Sequence, residues 1–153
     1  VNACITRDTE LIKSMMMDVG HLAFEDGANK VDWNPEMGMG NGWLLIECKA
    51  TPVALCKIRI VQARTIEIHP YAMPGHSSKW RNIVECILKW IYDSEKVEKV
   101  IAFVGVCHRL TYKLALKIGF QDEGLSRKSY FKNGEMLDQH LIGITRQEIG
   151  EIL

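Results

Sequence analysis

The most regular pattern in the chain lies over residues 79–93, where Trp80, Ile83, Val84, Ile87, Leu88 and Ile91 recur at three- and four-residue steps. That spacing lays an apolar stripe along one side of an α-helix, and Ser77 or Ser78 stands where an N-cap belongs. A second stripe, Leu11, Ile12, Met15, Met16 and Val19 behind Asp8, predicts an earlier helix following a short apolar strand at residues 3–5. One or two further helical turns are expected over 20–25. A third stripe, Leu110, Leu114 and Ile118, stops at Gly119, a residue suited to the left-handed end of a helix. Between these segments the period changes. Residues 43–48, 53–60 and 64–69 read as three antiparallel strands joined by short turns. The continuous run Val100 to Val104 reads as a strand covered on both faces. Residues 120–131 form the next strand, Asn133-Gly134 the best hairpin turn, and a last strand ends near Thr145. Residues 26–42, holding Gly27, Pro35, Gly38, Gly40 and Gly42, form a surface loop within one domain. The expected fold class is α/β, a single domain over 1–153 with a mixed, mostly antiparallel central sheet flanked by helices.

Composition narrows the function classes. At 153 residues one core suffices, and 19 basic against 19 acidic residues give none of the positive excess of a nucleic-acid partner. No run approaches the roughly 18 apolar residues of a membrane span, and the start Val1-Asn2-Ala3-Cys4 does not read as a secretory signal. The five cysteines lack C-x-x-C spacing, which argues against a disulfide framework or a zinc site. No nucleic acid, membrane or metal is expected, and the setting is cytoplasmic. Cys107 beside His108 is read as a buried or idle thiol, because sequence neighbours rarely point at each other.

The segment from His69-Pro70 through Pro74-Gly75-His76-Ser77-Ser78 into the helix near Lys79 carries the clearest candidate chemistry. A small-residue loop at a helix N-terminus presents unpaired N–H groups and a partial positive charge, which suit a phosphate or pyrophosphate. The same residues also make an ordinary turn and cap. Glu67 and His69 share one face of their strand by its two-residue period.

The element order and the stretch His108-Arg109-Leu110-Thr111-Tyr112-Lys113-Leu114-Ala115-Leu116-Lys117-Ile118-Gly119-Phe120 resemble the GNAT superfamily of acyl-coenzyme A transferases. Asp122-Glu123-Gly124, Asn133-Gly134-Glu135 and Asp138 are similar to landmarks of its ribosomal-protein N-terminal acetyltransferase branch. The resemblance implies acetyl-coenzyme A as co-substrate and a primary amine, on a small molecule or a protein, as acceptor. It places the pyrophosphate against Gly75, His76, Ser77, Ser78 and Lys79, and the thioester oxygen against backbone N–H groups on the fourth strand near Ile68. Glu67 or His69 then serves as base, and His108 or Tyr112 stands nearest the leaving thiolate. Arg127, Lys128 and Tyr130 form a candidate acceptor wall, and Trp33 and Trp43 flank a loop that is either a substrate lid or anchored by them in the core.

Ala72 stands where the family's phosphate loop has Arg or Gln, and Ala115 where many members carry a Tyr acid. Those departures support an alternative. The His-Pro start, Lys89-Trp90-Ile91 and the tail Asp138-Gln139-His140-Leu141-Ile142-Gly143-Ile144-Thr145-Arg146 resemble GNAT-like proteins of tailed bacteriophages. That resemblance implies an inactive head-assembly or virion-associated protein with phage structural partners, in host cytoplasm or virion. Such a protein needs an exposed apolar or aromatic patch, for which Trp33, Trp43 and the Gly-rich loop between them are the candidates.

Overall fold

The computed structural model describes residues 1–20, 24–26 and 32–153. Its strands are β1 (Asn2–Thr6), β2 (Asn41–Cys48), β3 (Thr51–Gln62), β4 (Thr65–Ala72), β5 (Lys99–Gly105), β6 (Gln121–Lys132) and β7 (Glu135–Thr145). The helices are α1 (Thr9–Val19), α2 (Trp80–Asp93), α3 (Arg109–Ile118) and α4 (Arg146–Ile152), with a 3-10 turn at Ser77–Lys79 leading into α2. All seven strands form one sheet in the order β1-β2-β3-β4-β5-β7-β6. Every neighbouring pair is antiparallel except β4 with β5. The mixed, mostly antiparallel sheet expected from the sequence is therefore present. The helical turns expected over 20–25 fall largely on 21–23, outside the described residues.

Two apolar clusters divide the faces of the sheet. Ile83, Val84, Ile87, Leu88 and Ile91 of α2 pack with Ala115 and Ile118 of α3 and Ile149 of α4 against Ile66, Ile68, Val100, Ala102, Val104, Ile142 and Ile144. On the other face Ile12, Met15, Met16 and Val19 of α1 pack with Phe24, Trp43, Leu45, Leu55 and Met73. Along β2 and β4 alternate residues go to opposite faces, as the pleat requires, so Glu67, His69 and Tyr71 of β4 belong to the α1 face.

The parallel ladder between β4 and β5 has three rungs, Thr65↔Lys99, Ile66↔Val100 and Glu67↔Ile101, after which the strands part. β4 nevertheless runs on through Pro70 to Ala72, still paired with β3, where the sequence pattern had it end at His69. Met73 N–H donates to the Val53 carbonyl at 2.9 Å. Counting back by twos in this antiparallel ladder, Tyr71, His69 and Glu67 turn their N–H groups to β3, and Ile68, Pro70 and Ala72 turn their backbone edges to β5. Proline is excluded from a strand interior because it lacks a donor. Here the missing N–H would have pointed into the gap, so no ladder bond is lost.

Two further differences from the sequence reading have simple causes. Neither Ser77 nor Ser78 caps α2: the 3-10 turn begins after His76, α2 begins after Lys79, and neither start carries a side-chain cap. Helix α4 was not anticipated, although Thr145 and Glu148 form a reciprocal capping box of the kind readable as Thr-x-x-Glu.

Candidate functional site

The parting of β4 and β5 opens a cavity of about 630 Å³ that reaches both faces of the sheet. Ile68 and Ala72 of β4, Trp80 and Val84 of α2, Leu110, Leu114 and Ala115 of α3 and Ser77 and Ser78 line its α2 side. His69, Tyr71, Phe103, Tyr130, Gln139 and Val19 line its α1 side, joined by His108 at the start of α3.

At the α2 end the chain folds back through the turn Met73–His76, closed by His76 N–H donating to the Met73 carbonyl at 3.0 Å. Gly75 takes φ 81, a conformation natural to glycine, and an added Cβ there would meet nothing within 4 Å. Lys79 N–H donates to the His76 carbonyl at 2.9 Å and Trp80 N–H to the Ser77 carbonyl. These turn bonds leave the N–H groups of Gly75, Ser77 and Ser78 outside the turn's own hydrogen bonding, and the two serine hydroxyls are not spent on a cap. Donors converging beside open space on a helix start fit a pyrophosphate. His76 instead faces a separate hollow with Met15, Asp18, Pro52, Met73 and Pro74.

On the α1 side, Glu67 is 4% exposed and sits directly across the ladder from Arg59, whose guanidinium donates to its Oε2. Its other oxygen meets His69 Nε2 at 2.5 Å. Burial alone would raise the Glu67 pKa, but the hydrogen bonds and charges of His69 and Arg59 prevail and hold it down at about 2. A carboxylate that acidic is a poor proton acceptor near neutral pH. It fixes the His69 ring, leaving Nδ1 without a recorded hydrogen bond among the described residues. Of the two sequence candidates for a base, His69 is therefore the one that lines the cavity with a nitrogen to offer, and Glu67 stands behind it.

Across the cavity, His108 Nε2 lies 3.4 Å from the Tyr130 hydroxyl. Burial, then the Lys132 charge, lower the His108 pKa, so the ring is neutral at pH 7. Burial, then the charges of Cys107, Glu25 and Asp26, raise that of Tyr130, so its hydroxyl keeps its proton. Tyr130 packs over Gly105, where an added Cβ would lie 2.9 Å from its ring. Sequence reading grouped Tyr130 with Arg127 and Lys128, yet those two are exposed and outside the cavity wall. Register shifts between Ser126 and Tyr130 re-aim the strand, and no sequence signal marks them.

Three expectations are corrected by these positions. Tyr112 does not face the cavity: its hydroxyl donates to Asp122 at 2.6 Å, its ring stacks on His140 at 4.0 Å, and the bond to Asp122 raises its pKa. Ile68 lines the cavity, but the Glu67↔Ile101 rung draws its N–H into the parallel ladder. Pro70 has no N–H, so Ala72 is the first position on β4 able to offer one to the gap. Trp43 is 1% exposed, stacked on Tyr71 at 6.5 Å and edge-on to Trp33, and so is core rather than an exposed docking patch.

No protein-family model matches the sequence, and no match was found among curated proteins. Solved structures do match in shape. A chimera of the Vibrio cholerae spermidine N-acetyltransferase with hSSAT superposes with TM-score 0.80 at 16% identity, covering 97% of this chain and 99% of that one. A mutant of the Vibrio cholerae enzyme gives TM-score 0.79 at 14% identity, over 97% and 95% of the two chains. The Vibrio cholerae enzyme in complex with CoA and spermine gives TM-score 0.75 at 14% identity, over 97% and 98%. The fold is thus that of the GNAT acyltransferases, as the resemblance implied.

The buried Glu67 carboxylate couples stability to acid. A group whose pKa falls from about 4.5 to about 2 on folding contributes stability that is complete above the unfolded value and lost as pH drops through that window. Glu67→Gln should cost about 2 kcal/mol at pH 7, allowing for the half-exposed Arg59. Urea melts should show the gap between parent and variant closing from pH 5 to pH 2; a constant gap would contradict the ion-pair account.

Proposed function

We propose that this chain transfers an acetyl group from acetyl-coenzyme A to a primary amine. The observation that carries the reading is the cavity that crosses the sheet where β4 and β5 part, with free turn N–H groups at one end and the His69–Glu67 pair at the other. The coenzyme A complex of a protein with this fold supports the donor assignment. Gly75, Ser77 and Ser78 bind the pyrophosphate, and Lys79 adds a cation near it. The thioester then runs along the open edge of β4 into the gap.

The amine enters from the α1 face. His69 Nδ1 removes its proton as the nitrogen bonds to the thioester carbon, and the imidazolium is stabilised by Glu67 without moving a proton onto that carboxylate. The Ala72 N–H is the β4 donor closest to the oxygen that gains charge. As the carbon–sulfur bond breaks, the sulfur takes the electron pair and accepts a proton from the Tyr130 hydroxyl, which His108 holds in place. The products are an acetamide and free coenzyme A. The Ala at position 115 leaves the usual acid absent from α3, and Tyr130 reaches the same cavity from β6.

Calorimetric titration should show saturable acetyl-coenzyme A binding that Gly75→Asp weakens at least ten-fold, since that change adds a negative side chain beside the turn. Acetylation by His69→Gln should fall by about 10²- to 10⁴-fold with donor affinity kept. Absence of saturable donor binding to the parent chain would defeat the reading, and full activity in His69→Gln would remove His69 as the base.

A further inference from the structure

We infer that the acceptor is a monoamine on an aromatic or apolar body, and not a polyamine. This rests on the acetyl-transfer reading and specifies its acceptor. The α1 wall of the cavity is made by Val19, His69, Tyr71, Phe103, Tyr130 and Gln139. None is acidic, no carboxylate lines the cavity elsewhere among the described residues, and residues 21–23 and 27–31 contain no Asp or Glu.

Of the carboxylates nearby, Glu67 and Asp26 are already engaged, and Glu25 is exposed and outside the cavity wall. Glu67 is held by Arg59 and His69. Glu25 and Asp26 lie close enough for their charge to act on Tyr130. Asp26, however, accepts from Gly134 N–H at 2.9 Å and faces the Lys132 ammonium at 3.8 Å, and that cation also donates to the Phe24 carbonyl at 2.7 Å. A polyamine would have to desolvate further ammonium groups against this wall without a counter-charge, an unfavourable exchange. An aromatic body instead meets ring faces and edges. Tyr71 is backed by Trp43, and Trp43 by Trp33, so the wall is built of rings fixed by packing, which favours stacked or edge-on contact with another ring.

The same tryptophans report on the site. Quenching of intrinsic fluorescence in the whole protein, titrated with 2-phenylethylamine and separately with spermidine, should give saturable binding of 2-phenylethylamine at least ten-fold the tighter. Gln139→Glu, which sets a carboxylate in the wall, should narrow that ratio by five-fold or more. Equal or tighter spermidine binding to the parent, no saturable effect of 2-phenylethylamine, or a ratio unmoved by Gln139→Glu would overturn the inference. Turnover with acetyl-coenzyme A is read separately: the binding preference without acetylation would refute the transfer reading while leaving the class of amine bound at this wall intact.

Discussion

Strands β4 and β5 stay paired for only three rungs, and the cavity on which the proposed chemistry rests opens where they separate. A parallel pair is normally sealed by its evenly spaced hydrogen bonds. Here the seal ends at Glu67 and Ile101, and Pro70, with no N–H to give, sits on the edge of β4 that faces the gap. The opening is held apart from both sides. Below it the α2 stripe packs into the large core, and above it α1 and Trp43 anchor the other face. β3 keeps β4 straight through Ala72 by pairing with it along its whole length, so the gap does not collapse.

That opening sorts the charge of the site. The face of α2 and α3 offers hydroxyls and backbone donors, suited to an anion. The face of α1 offers neutral rings and one histidine whose orientation is set by a buried carboxylate. Glu67 remains ionised inside the protein because Arg59 and His69 supply hydrogen bonds that outweigh its desolvation. Removing either partner would leave a buried charge under-compensated, which is the costly outcome for such groups. The same pair therefore ties the local stability of β3 and β4 to the geometry of the proposed base.

Much of this was legible in the sequence where periodicity decides. The 3.6-residue stripe from Trp80 to Ile91, the turn at Asn133-Gly134 and the continuous run Val100 to Val104 each left one physical solution. The shared face of Glu67 and His69 followed from the strand period alone. What periodicity does not encode was missed. Whether a serine caps a helix or faces a cleft depends on one turn of 3-10 geometry at Ser77–Lys79. Tyr112 was expected near the thiolate and Tyr130 in an acceptor wall, and only the bond to Asp122 and the register shifts in β6 decide which hydroxyl faces the cavity. Trp43 beside a glycine-rich loop left a lid, a docking patch and a core anchor all open, and its stacking on Tyr71, which selects the core, requires the distant β4 to be in place.

The central claim is that one opening in the sheet receives the acyl donor on its α2 face along β4. Hydrogen–deuterium exchange of the parent protein with and without saturating acetyl-coenzyme A tests it directly. The account predicts slowed exchange confined to residues 72–79 and to the start of α3 near His108, with β1 and β2 unchanged. Donor binding that protects neither segment, or protects β1 and β2 instead, would contradict it.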